Sequence, residues 1–241
     1  MAVDKLVDST QLNADLTLVA NAIRTKGGTS AQLAFPSGFV SAIDAIPTGG
    51  GGTDYLAALL ENELTSYEVT SDRIKAHTFR GASALTSVTF AAANLEIEDY
   101  AFYQSGLTYA VLPSLAAMGS FAFGAITSLQ AVDIATTTMS EIYTNIFNGS
   151  ANMNMVVIRD ASVLGLRNIN AFTNTPFASG KSGGTLYVPN SLISSYQSAT
   201  NWGTILGYAN NQIKSIESTH TDPNAPIDLT THYVDGTLIS A

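Results

Sequence analysis

Three carboxylates crowd one short stretch, Glu96, Glu98 and Asp99. A pair of carboxyl groups is the machinery of glycoside hydrolysis, one as acid and the other as base or nucleophile. Here apolar Ile97 separates Glu96 from Glu98. That alternation sends both acids to the solvent side of an extended segment, the signature of a solvated edge. The histidines are His77, His220 and His232. His77 falls next to an apolar aromatic and reads as a half-buried structural residue. His220 and His232 stand in a Pro-punctuated tail with Asp222 and Asp228 between them, where flexible sequence does not preorganise metal ligands. Ser71-Asp72-Arg73 and the scattered serines have no histidine at a telling distance for nucleophilic catalysis. Gly49–Gly52 is not followed by Lys-Ser/Thr, so it is a linker and not a phosphate loop. There is no cysteine, which removes disulfides, thiolate nucleophiles and Cys-ligated metals. The expectation is a protein that is not an enzyme, with no cofactor and no metal.

Charge narrows the partners. The 241 residues carry a formal net charge of −9 and only 12% charged residues, about half the usual share of roughly 25%. No Lys or Arg occurs from Gly81 to Ile158. A nucleic-acid surface needs clustered basic side chains, so DNA or RNA is not an expected partner. No window approaches the roughly 18 apolar residues of a membrane span, so membrane insertion is not expected. The opening "MAVDKLVDST" has no apolar core of a classical signal peptide. The expectation is synthesis in the cytoplasm and release by another route such as lysis.

What positions these residues is a repeat. Ile97, Phe102, Leu107 and Leu112 are spaced by five, which fits neither a helix nor a strand. The heptads "ALTSVTF" (84–90), "GLTYAVL" (106–112), "SLQAVDI" (128–134) and "NMNMVVI" (152–158) start 22, 22 and 24 residues apart. "ELTSYEV" (63–69) precedes them and "SGGTLYV" (182–188) follows. Positions five and seven alternate as a short strand with one buried face would. Upstream of the heptads stand Ile74 with Phe79, Ile97 with Phe102, Met118 with Phe123 and Ile142 with Phe147, each pair five apart. Each Phe is expected to plug a core from a turn or 3₁₀ segment, with a small neighbour letting coils approach. One coil cannot bury its own apolar face, whereas stacked coils bury a continuous ladder.

The units "AF…GASALTSVTF" and "AF…SLQAVDI" resemble the BspA-like leucine-rich repeats of bacterial and phage surface proteins. The ending "TLYVPNSLISSYQSATNWGTI" (185–205) is similar to that family's closing segment: a "YVP" strand, a short helix, then "NW". The resemblance covers about residues 63–217. The stretch "RDASVLGLRNINAFTNTPFASGKSGG" (159–184) departs from the period and reads as an excursion loop.

Before the repeat, Leu12, Leu16, Val19 and Ile23 form the apolar stripe of a helix over 9–26, and a second helix follows Pro36. A helix over 54–64 would cap the open end of the array. The segment "VDSTQLNADLTLVANAIRTKGGTSAQLAFPSGFVSAIDAI" resembles the opening of proteins in tail modules of phages of Gram-positive gut bacteria, which implies an attachment module. The fold expected is therefore α+β. An N-terminal helical docking module (1–46) and a Gly-rich linker (47–53) lead to a BspA-like β-solenoid with caps (54–217) and a C-terminal arm or hairpin (218–241). Leu12, Leu16, Val19 and Ile23 are the assembly candidates, facing other virion proteins or further copies of the chain. Tyr100, Tyr103, Tyr109 and Tyr143 lie outside the apolar ladder. They either pack between coils or bind a host-surface glycan or protein. The localisation implied is a virion, with a bacterial cell surface as the alternative.

Overall fold

A computed structural model describes residues 59, 61–178, 181, 183–206 and 212–240. These lie in the second of two compact units, Tyr55–Ala241. The expected helices over 9–26 and after Pro36, the stripe of Leu12, Leu16, Val19 and Ile23, and the glycine linker lie outside the described residues. Of the helix expected over 54–64, Leu59 is helical, but Asn62 already has φ 57° and its N–H bonds Leu59 O at 3.2 Å. The helix therefore stops short of Leu64, at an Asn in the left-handed conformation that favours helix ends.

The chain then winds through short parallel strands whose partners lie one repeat away. β1 (Ser66–Val69) pairs with β3 (Ser87–Phe90). β2 (Arg73–Ile74), β4 (Leu95–Ile97), β5 (Tyr109–Met118), β6 (Ala131–Thr136), β8 (Met155–Ile158), β10 (Thr185–Val188) and β11 (Ile213–Ser215) form one parallel sheet in the order β11-β10-β8-β6-β5-β4-β2. β7 (Glu141–Ile142) pairs with β9 (Gly165–Leu166). Registers such as Ala110↔Val132↔Val156 align the heptads as their spacing requires.

Pro113 lies inside β5 and not at its end. β5 continues through it, because the pairing with β6 shifts register between Leu112 and Leu115, and a residue without an N–H is tolerated at such an irregularity. One strand thereby serves two successive faces of a coil.

The five-residue spacing is a core signature. Ile97, Phe102, Leu107 and Leu112 are all buried. Phe79, Phe102, Phe123, Phe147 and Phe172 stack ring on ring at 5.1, 5.2, 6.0 and 5.4 Å. The buried alanine before Phe102, Phe123 and Phe172 has a definite task. Phe79 N–H donates to Ala101 O (2.7 Å), Phe102 N–H to Ala122 O (2.9 Å) and Phe147 N–H to Ala171 O (3.0 Å). A larger side chain at these buried alanines would hold the coils apart.

The supposed excursion over 159–184 contains another coil. Leu166 in β9 is buried and Phe172 continues the stack from a 3₁₀ turn, Ile169–Phe172. Its apolar pair is six residues apart, not five, which hides it from the period. The array ends on α1 (Ile193–Ser198) and α2 (Trp202–Leu206). Tyr196 OH accepts the Leu164 N–H (2.9 Å) and Trp202 Nε1 donates to Leu164 O (2.8 Å), so two buried aromatics hold both backbone polar groups of one residue. Burial pushes the Tyr196 hydroxyl well above its ordinary value.

Coil contact also fixes one glycine. A Cβ on Gly106 would lie 2.0 Å from Ser83 O, a backbone atom that cannot swing away. Gly106→Ala is expected to lose at least the roughly 1–3 kcal/mol typical of overpacking. A urea titration followed at Trp202 measures it, and an unmoved midpoint would contradict this packing.

Candidate functional site

The acidic cluster is structural. Ile97 is buried between two acids as expected; of those two, Glu96 is exposed and Glu98 is partly buried. Glu98 accepts the Ala76 N–H (2.9 Å) and meets Arg73 Nε at 2.7 Å. That amide, with Arg73 beside it, holds the Glu98 carboxyl below its ordinary value. Asp99 accepts the Ser120 N–H of the following coil at 2.7 Å. Asn62, Ser150 and Asp160 do the same elsewhere, taking the N–H groups of Ala84, Ile126 and Thr136. The turn polar groups are thus committed to backbone donors of neighbouring coils, which buried or crowded amides require.

The tyrosines separate into three places. His77, Tyr100 and Phe121 occupy equivalent turn positions, two residues before the core Phe of their coils. All three have positive φ, 63°, 58° and 54°. Asn145 takes the next such position at 65°, a cheaper residue for that backbone. Their rings form an outer stack beside the inner one, His77 on Tyr100 at 5.3 Å and Tyr100 on Phe121 at 5.1 Å. Both faces of Tyr100 are therefore covered by neighbouring rings. His77 is exposed, not half-buried, because its turn points it away from the core. Tyr103 sets its edge against Tyr100 and Phe121, with the Arg80 guanidinium 5.4 Å from its ring centre. Tyr143 stands apart, 45% exposed, with Arg167 5.2 Å from its ring.

Tyr109 belongs to a different surface. Its ring meets Tyr233 at 5.5 Å and its hydroxyl reaches Gln130 at 3.4 Å. Burial, then the neighbouring Tyr233, raises its hydroxyl above the ordinary value. Tyr233 comes from the C-terminal arm, which both forms a hairpin and lies on the domain. β12 (Tyr233–Val234) and β13 (Thr237–Leu238) are antiparallel, joined by Asp235 (φ 45°) and Gly236 (φ 78°). Two positive φ values make the tight turn whose twist suits a hairpin. Ile227, Leu229, Tyr233 and Leu238 bury a second core against Ala131, Met155, Val157 and Tyr187 on the outer face of the sheet. β6 and β8 are consequently buried on both faces at Ala131–Ile134 and Met155–Ile158, and not on one face as the alternation implies.

A buried ion pair fastens this arm. Arg159 Nε lies 2.7 Å from Asp133 Oδ1, and both side chains are almost fully buried. Asp133 Oδ2 accepts the Ile227 N–H (3.0 Å) and Arg159 Nη1 donates to Asn224 O (2.9 Å). Burial pushes the Asp133 carboxyl up, against the pull of Arg159 and the Ile227 amide. In the same arm the rings of His220 and His232 meet edge to face at 5.0 Å. Burial and the second imidazole lower the pKa of His220. Among the described residues no group of three or more His, Asp or Glu is placed to hold a metal ion. No helix among them is long and apolar enough to cross a membrane.

The repeat seen in this geometry agrees with the family comparison. Residues 60–179 match the BspA type leucine rich repeat region, in six copies. That stretch is a BspA-type leucine-rich-repeat region. The BspA-type coils here are mostly short strands and turns, with the two short helices after them. Among solved structures, the chain is similar to the pneumococcal vaccine antigen PcpA, with 14% identity and a TM-score of 0.44. The match covers 64% of this chain and 42% of that one. No curated protein matches the chain.

Proposed function

We propose that the chain is a non-catalytic surface-recognition protein, a BspA-type solenoid displayed by a docking module. The observation that supports this most directly is the division of labour at the turns. The polar groups that could do chemistry are tied to neighbouring backbone, while tyrosines remain at positions the core does not use. Tyr103 and exposed Tyr143 each carry a guanidinium over the ring, an amphipathic surface suited to a neutral glycan or a protein. Tyr100 contributes by supporting Tyr103, since its own faces are covered.

The display site in this reading is a virion, with other virion proteins or further copies gripping the stripe of Leu12, Leu16, Val19 and Ile23. The similarity of the N-terminal segment to phage tail modules motivates it. A bacterial cell surface is the second reading, and BspA-type repeats, typical of surface adhesin-like proteins, are compatible with it. The test exposes fluorescently labelled full chain to a panel of Gram-positive gut bacteria. Adsorption should fall several-fold in Tyr103→Ala with Tyr143→Ala, at unchanged melting temperature. Adsorption to no cell, by a chain that is also missing from purified particles by mass spectrometry, sinks the proposal.

A further inference from the structure

Among the described residues the row of heptad strands has one break. β6, β8, β10 and β11 pair in sequence, but β3 pairs with β1 and not with β5. Two residues set this place apart. Pro113 brings no N–H to the facing edge. Phe90 occupies the seventh heptad position, where Leu112, Ile134 and Ile158 stand in the next coils; it is only partly buried, its ring edge-on to Phe102 at 6.2 Å. The arm that covers the outer face of β6, β8 and β10 also ends here, reaching β5 only at Tyr109 and Val111.

Where the break and the end of the cover coincide there is a cleft of about 380 Å³. That volume is near the lower end of small-molecule sites, about 300–1,000 Å³. Tyr109, Val111 and Pro113 give it an apolar wall from β5. Exposed Ser87 and Thr89 line it from β3, and the arm supplies Asp228 and Thr230. Asp228 Oδ1 is occupied by the N–H and hydroxyl of Thr230, at 3.0 and 2.6 Å. The Thr230 hydroxyl, more than its amide, holds that carboxyl below its ordinary pKa. No Lys or Arg lines the cleft.

We propose that this cleft binds one neutral hexose unit of a glycan. The apolar face of the sugar lies on Tyr109, and its hydroxyls meet Asp228, Ser87 and Thr89. An aromatic wall with a few convergent hydroxyl-binding groups is what a pyranose requires, apolar on one face and polar around its rim. The single negative charge disfavours uronic acids, sialic acids and phosphate-rich polymers. The proposal rests on the recognition reading above and gives it a site.

The experiment uses the full chain, a printed array of neutral and acidic glycans, and saturation-transfer NMR. The NMR probes are the methyl glycosides of glucose, galactose and N-acetylglucosamine, with methyl glucuronide as the acidic control. Ser87→Trp fills the cleft from an exposed strand position and leaves both cores intact. Binding of a neutral glycoside that falls at least tenfold in Ser87→Trp, at unchanged melting temperature, is the expected result. Equal binding by Ser87→Trp overturns the cleft and leaves the recognition reading standing. A preference for acidic glycans overturns the cleft. A chain that binds no glycan overturns it too, and cell adsorption then decides whether recognition of a protein survives.

Discussion

Phe102→Ala lowers the unfolding free energy by about 3–5 kcal/mol, the usual cost of deleting a fully buried aromatic. The ring is completely inaccessible and lies between Phe79 and Phe123, with the edge of Phe90 against it. No coil can close over the void, because the backbone bonds through Ala101 and Ala122 fix the coil separation. The loss should be felt far away. Trp202, the sole tryptophan, lies 5.7 Å from Phe172 at the distal end of the stack. In a repeat array stability propagates through neighbour interfaces. A guanidinium titration followed by Trp202 fluorescence should therefore shift together with one followed by circular dichroism. Tyr100→Ala, in the outer stack, should shift both by much less. It removes a partly exposed ring from a backbone position with φ 58° that is unfavourable for any side chain of its kind. A Trp202 midpoint unmoved by Phe102→Ala would show that the coils do not share a cooperative core.

The inner stack was legible because its information is periodic. An apolar residue every five positions and a copy every 22 to 24 describe a coil before any coordinate is known. The coil containing Leu166 and Phe172 escaped because one extra residue separates them. The outer cover is a different matter. Met155-Val156-Val157-Ile158 is apolar on both faces, and such a run marks a strand buried on both sides. What it cannot specify is the covering element, which arrives some 70 to 80 residues later as Ile227, Leu229 and Tyr233.

The candidate site was legible only as a set of residue types. Tyr100, Tyr103, Tyr109 and Tyr143 do fall outside the inner stack, as their repeat positions require. Which ring faces stay open depends on the positive φ at His77, Tyr100 and Phe121, and nothing in those side chains announces it. Tyr109 carries the same heptad pattern as its equivalents. Its cleft exists because β3 and β5 fail to pair and because the arm stops there. Both are long-range events. Glu98 and Asp99 show the converse: a cluster that looks chemical is explained by two backbone amides from adjacent coils.

The arm offers the second large effect. Asp133→Ala or Arg159→Ala alone is expected to cost about 3–5 kcal/mol, because either leaves an unpaired charge in a buried site. Each loss also strips the arm of a hydrogen bond, at Ile227 or at Asn224. The double variant Asp133→Leu with Arg159→Met should recover most of the loss. It removes both buried charges, and with them the unpaired Arg159 Nη2. Apolar replacements of buried ion pairs are often neutral or stabilising. The pair therefore fixes where the arm lies more than it adds net stability. Limited proteolysis separates these contributions. In either single variant the segment from Thr219 to Ser240 should be cut at protease concentrations that leave the repeats whole, and in the double variant protection should return. Additive losses in the double variant, with an arm equally exposed in all three, would mean that the second core alone holds the arm and that the ion pair plays no part in its placement.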